Sequence, residues 1–386
     1  MMVAAPAAAE LWRFEPLDTW FFRESRPMDS GGGAQLSSQF PPPVRTLVGA
    51  IRTTLGDALH VDWSAYRDDA DHPLRRLIGT PDSPAPLSFE GPFLMKDGQR
   101  LYPAPLVTMR HEHEGRMTFT RLEPAATPVD SDLGRVRLPV MRQVLPGARP
   151  LEGFWMTAQA MAAVLRGQVP EKSGLLSQKD LFDTEPRLGI GLDERARRPI
   201  DGLLYQTRHL RLKPGISAGL VVRGLDASRW PQTLLGRQGL VRLGGEGRLA
   251  AWHRDAASAL PEIVPKAGSR QLMVTLLSPA RFDNGWCPDG FATVSADDGS
   301  MVWQGELTGL PARLVCAVTG KPVREGGWDL ARQQSRDLQA AVPAGSCYFF
   351  EFDSAEQARE AARRIPGSSI GRDTAWGGGR MAAGLW

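Results

Sequence analysis

Lysine is almost missing from this 386-residue chain, at six residues against 40 arginines. Cysteine (three), tyrosine (four) and histidine (six) are nearly as scarce. Cys287, Cys316 and Cys347 lie far apart and form no CxxC, which excludes a disulfide framework or a thiolate zinc site. An odd, sparse set fits reduced thiols in a cytoplasmic protein. Cys316 and Cys347 sit in apolar runs and are expected to be buried. No run of 18 apolar residues exists, so no membrane-spanning helix is expected. Residues 1–10 are Ala-rich without a basic n-region and read as a short disordered leader, not a signal peptide. Net charge is only +3, which excludes a strong whole-molecule field. There is no GxxxxGK[ST], because Gly320-Lys321 is followed by Pro322. HExxH is likewise missing.

What is present is ordinary globular material: 42% hydrophobic and 23% charged residues. That is enough for two cores without staples. The arginine excess has two readings. Guanidinium suits phosphate better than ammonium does, but a GC-rich genome inflates Arg, Ala and Gly alike, so placement must decide.

Leu11–Pro16 reads as a strand. Pro41-Pro42-Pro43 opens a helix through Val44, Leu47, Val48, Ile51 and Leu55, an i, i+3, i+4, i+7 pattern with Arg45 and Arg52 on one face. Residues 80–150 carry scattered strand-like pieces, such as Leu87–Leu94 and Arg116–Arg121, and read as hairpins and excursions outside the compact core. Phe154–Leu165 reads as a second helix. Residues 187–213 carry seven Arg or Lys against three acids and read as the crossing between two halves. Gly219–Val222, Leu240–Leu243, Leu249–Trp252, Gln271–Leu277, Leu314–Val318 and Ser346–Phe352 read as strands. Ser354–Ile365 reads as a helix with a Ser cap and Gln357 three residues on. Strands with few, separated helices indicate α+β.

Catalytic patterns fail on context. Gly367-Ser368-Ser369-Ile370-Gly371 fits GxSxG, but a helix precedes it and no histidine follows. His111-Glu112-His113 could offer two metal nitrogens, yet the other histidines show no partnering spacing, so a hydrated loop is expected and no metal. Gly245–Ala250 and Gly377–Ala382 imitate a dinucleotide fingerprint without opening a βαβ unit, so no cofactor is expected. What remains is glycine loops with arginines attached: Arg23–Gly33, Arg187–Gly191, Gly244–Arg248 and Gly377–Arg380. Glycine lets backbone N–H groups turn toward an anion, and a neighbouring guanidinium adds a two-pronged phosphate contact. These loops are either tight turns or grips on a nucleic-acid backbone. Trp20, Trp252 and Trp376, near basic loops, are candidates for stacking unpaired bases.

Several blocks resemble one family. Trp20–Pro27 with the glycine run after it, Ser38–Arg52, Glu185–Asp193 with Gly202–Tyr205, Arg242–Arg248 and Pro343–Phe350 occur in the order seen in the third subunit of the type III-B CRISPR (Cmr) effector complex, a RAMP superfamily member. The last glycine loop departs from the pattern, with Ala382 where a third glycine is usual. The resemblance implies two ferredoxin-like (RRM-like) domains in tandem, here 11–205 and 206–386. It implies no catalysis and an antiviral role: holding the 5′ repeat-derived tag of the guide RNA while docking the large cyclase-bearing subunit and the first backbone subunit. It also implies a thumb hairpin wedged into the guide, for which 101–149 is nominated with Arg110, Arg116, Arg121, Arg135 and Arg137. The expected RNA contacts are Arg23, Arg26, Arg45, Arg52, Arg187, Arg248 and Arg380, with backbone donors from Gly31, Gly32, Gly33, Gly244, Gly245, Gly377, Gly378 and Gly379. Glu246 is expected to order its turn or pin an arginine. Two alternatives stand beside this: a metal-independent guide-processing ribonuclease using His111, His113 or Tyr102, and the equivalent tag-binding subunit of another type III or a type I complex.

Overall fold

The computed structural model describes residues 9–24, 35–193, 196, 198–225, 236–257, 268–329, 332 and 334–386. In chain order its main elements are β1 (Glu10–Pro16), α1 (Val44–Ala58), β2 (Ser88–Lys96), β3 (Thr108–His113), β4 (Arg116–Pro124), α2 (Ala158–Leu165), β5 (Phe182–Leu192), β6 (Pro199–Leu212), β7 (Ile216–Arg223), β8 (Gln238–Arg242), β9 (Leu249–Ala256), β10 (Gln271–Leu276), β11 (Ala292–Ser295), β12 (Met301–Leu307), β13 (Leu310–Val318), β14 (Cys347–Glu351), α3 (Ala355–Arg364) and β15 (Met381–Gly384). The chain is α+β and strand-rich, as its patterning predicts.

Two compact units form, and they interleave. One comprises 1–99, 179–257 and 324–339; the other comprises 100–178, 258–323 and 340–386. The expected division at 205/206 is therefore not the observed one. Strand pairing explains why: β1 takes β7 and β9 as its neighbours, and both lie some 200 residues later.

In the first unit the sheet runs β8-β9-β1-β7-β2, every neighbour antiparallel. Alternation along β1 sends Trp12 and Phe14 to one face, where both are fully buried. Trp252 of β9 lies against Trp12, with ring centroids 5.0 Å apart. α1 packs against this sheet and buries Leu47, Val48, Ile51 and Leu55, the stripe its spacing predicts. Pro43 caps α1 from outside, so the prolines precede the helix instead of occupying its first turn. Residues 88–96, expected outside the core, form β2, with Phe89 and Leu94 buried.

In the second unit the sheet runs β11-β12-β13-β14-β10-β15, again all antiparallel. α2 and α3 supply Met161, Val164, Leu165, Ala358, Ala361 and Ala362 to its core. α3 carries the expected capping box, with the Gln357 N–H donating to Ser354 Oγ (3.2 Å) and the Ser354 N–H to Gln357 Oε1 (3.3 Å). α2 begins at Ala158, capped by Thr157, because Trp155–Met156 is drawn into a short strand. All three cysteines are buried as free thiols. No described helix is long and apolar enough to cross a membrane.

Candidate nucleic-acid interface

The segment read as a crossing is a long antiparallel ribbon, joined along one edge by the short parallel strand Gln35–Leu36. β5 and β6 pair from Phe182–Leu212 up to Leu192–Pro199. Residues opposite one another share a face, so the ribbon has two distinct sides. One carries Glu185, Arg187, Thr207, His209 and Arg211. The other carries Leu188, Ile190 and Leu204, which are 74%, 52% and 55% exposed.

The charged side meets the loop after β1. Leu17 N donates to Leu249 O (3.1 Å), and Trp20 and Leu210 exchange backbone hydrogen bonds of 2.9 and 2.8 Å. Asp18 sits between these anchors, and three arginines converge on it. Arg187 Nη2 (2.9 Å) and Arg248 Nη1 (3.3 Å) reach Oδ2, while Arg211 Nη2 (2.9 Å) reaches Oδ1. Glu185 takes Arg187 Nε (2.8 Å) and Arg211 Nη2 (2.6 Å). The Arg187 guanidinium, above all, holds both carboxyls below their ordinary range. Such exposed pairs contribute at most about 1 kcal/mol each; they orient the arginines more than they stabilise the fold.

Under the arginines lies His209, fully buried beside fully buried Thr19. Thr19 Oγ1 is 3.0 Å from Nδ1, and Glu246 Oε2 is 2.8 Å from Nε2. The Thr19 hydroxyl donating to Nδ1 leaves the Nε2 proton facing Glu246. The ring stacks on Phe21 with centroids 5.1 Å apart at 11°. Burial lowers the His209 pKa from its ordinary value and so favours the neutral ring. Glu246 has a left-handed φ of 55° and lies 3.6 Å from Arg248, ordering its turn and flanking an arginine as expected.

The Gly244–Gly245 turn serves this packing. Gly245 N donates to Phe21 O (2.7 Å), and a Cβ at Gly244, where φ is 89°, would come within 2.6 Å of that same oxygen. Glycine is needed here for close approach, and the Gly245 N–H, expected as an anion donor, is already engaged. The same holds for the loop at 377–380 in the second unit. Gly378 N donates to Asp373 O (3.2 Å), Gly379 N to Pro279 O (2.8 Å) and Arg380 N to Ser278 Oγ (2.9 Å). Gly377 O accepts from Ser278 Oγ (2.7 Å). A Cβ at Gly379 would collide with the Ile370 carbonyl. Arg380 is 8% exposed and donates to Gly367 O. The loop closes on its own backbone.

Arg45 and Arg52 leave one side of α1 together, but toward protein. Arg52 Nε donates to Ile78 O (2.7 Å) and Nη2 to Ser83 O (3.1 Å), while Arg45 Nη1 reaches Pro81 O (3.5 Å). Burial brings the Arg52 pKa down to about 10. Both brace the loop after residue 77. Arg23 is exposed, bridging to Ser38 through its backbone. Arg26 and Gly31, Gly32 and Gly33 lie outside the described residues. Trp20, Trp252 and Trp376 are buried, which removes them as base-stacking platforms. Trp328, 59% exposed, is an open indole that sequence reasoning missed.

Residues 12–386 match the family model described as CRISPR-associated protein (Cas_Cmr3). The chain belongs to the Cas_Cmr3 family. A search of curated proteins returns no match. Among solved structures, the chain resembles one in the type III-B Cmr-beta complex bound to cognate target RNA and AMPPnP, at 15% identity over 88% of this chain and 86% of that one, TM-score 0.46. A second Cmr-beta structure with cognate target RNA gives 16% identity, 88% and 86% coverage and TM-score 0.44. A chain of a type III-A Csm3-Csm4 subcomplex gives 9% identity, 89% and 93% coverage and TM-score 0.38.

The thumb nominees of this Cas_Cmr3 chain all lie in the second unit, Arg110, Arg116, Arg121 and Arg135 on its strands and Arg137 just after one. Arg121 is 2% exposed and donates to Leu385 O (3.0 Å), with burial lowering its pKa. Arg137 pairs with Asp298 (2.8 Å), and Arg110 lies over Phe154 (5.1 Å). Arg116 and Arg135 are exposed. His111 and His113 stack side by side at 6.1 Å, and no metal-ligating cluster exists among the described residues. Sequence reasoning missed Asp18, Arg211, Thr19 and His209. Asp18 stands 169 residues from Arg187, and nothing local in the chain links them.

Proposed function

We propose that this Cmr3-type chain is an RNA-binding subunit of a type III-B Cmr complex in the cytoplasm. It holds the 5′ repeat-derived tag of the guide RNA and docks the large cyclase-bearing subunit to the first backbone subunit, with no chemistry of its own. One observation carries the reading: Arg187, Arg211 and Arg248 converge at the root of a ribbon whose opposite face exposes Leu188, Ile190 and Leu204. Guanidiniums position a phosphate backbone. An apolar extended ribbon suits insertion beside an unstacked base, so the thumb is assigned to the ribbon 182–212 in place of 101–149. Arg23 is retained as an outlying phosphate contact.

Four adjacent strands in each sheet support reading each unit as a ferredoxin-like core. Taken in chain order, β1, β2, β7 and β9 lie 4-1-3-2 across the first sheet, and β10, β13, β14 and β15 do the same in the second. Such sheets are common RNA platforms. The test is guide retention in a reconstituted complex. Arg248→Ala and Arg187→Ala are each expected to weaken guide binding by about 1–3 kcal/mol. Unchanged retention in both would reject the assignment.

A further inference from the structure

We propose that Asp18 is an internal stand-in for an RNA phosphodiester, so that the strand enters the arginine cradle by exchange with this carboxylate. The inference rests on the RNA-binding reading above and concerns how that site is regulated.

Charge comes first. Arg187, Arg211 and Arg248 are matched one for one by Asp18, Glu185 and Glu246, and burial disfavours the charged form of His209 between them. The cluster as folded offers an incoming polyanion no net positive charge. Geometry singles out one of the three acids. Glu185 holds Arg187 and Arg211, and Glu246 holds Arg248 and His209. Asp18 alone of the three contacts all three guanidiniums, its two oxygens divided between them as the two free oxygens of a phosphodiester would be.

Mechanics allow the exchange. The backbone on both sides of Asp18 is pinned, by Leu17 to Leu249 and by Trp20 to Leu210. The carboxylate itself rides on two side-chain torsions and is nearly half exposed, as is Arg211, whereas Arg187 and Arg248 are about a quarter exposed. Swinging it out costs little, because exposed ion pairs are weak, and guanidinium–phosphate contacts replace what is lost. The device keeps the arginines aimed while discouraging adventitious anions.

The test compares Asp18→Asn with Glu185→Gln in the full chain, using a labelled ten-nucleotide oligouridylate and fluorescence anisotropy at several salt concentrations. Both variants remove one negative charge from the same cluster, but only the first takes the anion off all three guanidiniums. Asp18→Asn is expected to tighten binding about five- to tenfold at low salt and to steepen the salt dependence, with Glu185→Gln gaining several-fold less. Equal gains would mean bulk charge alone and would overturn the exchange, as would an Asp18→Asn affinity at or below wild type. If Asp18→Asn lowers the melting temperature, Asp18→Ser is read in its place under the same criteria. Inorganic sulfate separates this failure from that of the RNA reading. Thermal stabilisation of Asp18→Asn by sulfate, with no oligouridylate binding by any form, would keep the cradle and reject the RNA. Oligouridylate binding by wild type without a gain in Asp18→Asn would do the reverse.

Discussion

At the scale of single residues, His209 decides how the arginine cradle is built. It has no solvent access, accepts from Thr19 and faces Glu246, and burial is the leading cause of its lowered pKa. The sign of the consequence follows from linkage. A histidine whose folded pKa is depressed favours the neutral form, so its stabilising contribution is complete above the unfolded value of about 6.5. That contribution is lost as pH falls from there through the folded value. Asp18 and Glu185, held low by Arg187, lose theirs only below about pH 4. The melting temperature is therefore expected to decline as pH falls below about 6.5, ahead of the acid limb. His209→Gln should flatten that first segment, and an unchanged slope in the variant would show that another group titrates there. None of this was readable from one chain, because Thr19 lies 190 residues from His209 and a lone histidine carries no partner label.

At the scale of elements, legibility followed burial. α1, α3 and β1 send a periodic stripe into a core, while β7, β10 and β14 are short runs buried almost throughout, and a sequence displays both patterns. The ribbon β5–β6 has no core face along most of its length. Leu188, Ile190 and Leu204 point outward while Phe182 and Leu210 are buried at its base, and its charged residues meet a distant loop, so it read as a basic crossing. Exposure also makes it separable from folding. Leu188→Asp with Ile190→Asp should leave the melting temperature within about 2 °C, because surface substitutions are usually within ±0.5 kcal/mol. Guide retention should nevertheless fall; full retention would remove the ribbon from the interface. Caps behave oppositely. Ser354→Ala deletes the acceptor for Gln357 N–H and should cost about 1 kcal/mol in urea unfolding, with guide binding untouched.

At the scale of the whole molecule, the chain builds two units by passing between them. The first is completed by 324–339, whose Asp329 is buried beneath Arg336 (2.8 Å) and whose Arg332 grips Asp82 (2.6 Å). Contiguous halves divide both units, so a fragment such as 206–386 should lack cooperative unfolding when expressed alone. A sigmoidal urea transition in that fragment would show that the second unit folds without its 100–178 segment. The division at 205/206 was misplaced because composition marks where a chain changes character, whereas strand pairing decides which unit a segment joins.

The central claim is that Arg187, Arg211 and Arg248 grip the guide's phosphates. The direct measurement is the affinity of the assembled complex for its guide across a salt series, in wild type and with all three arginines changed to glutamine. The account predicts at least about a hundredfold weaker binding at low salt and a shallower dependence on log salt, by about two units. Equal affinity and equal slope in the triple variant would contradict it.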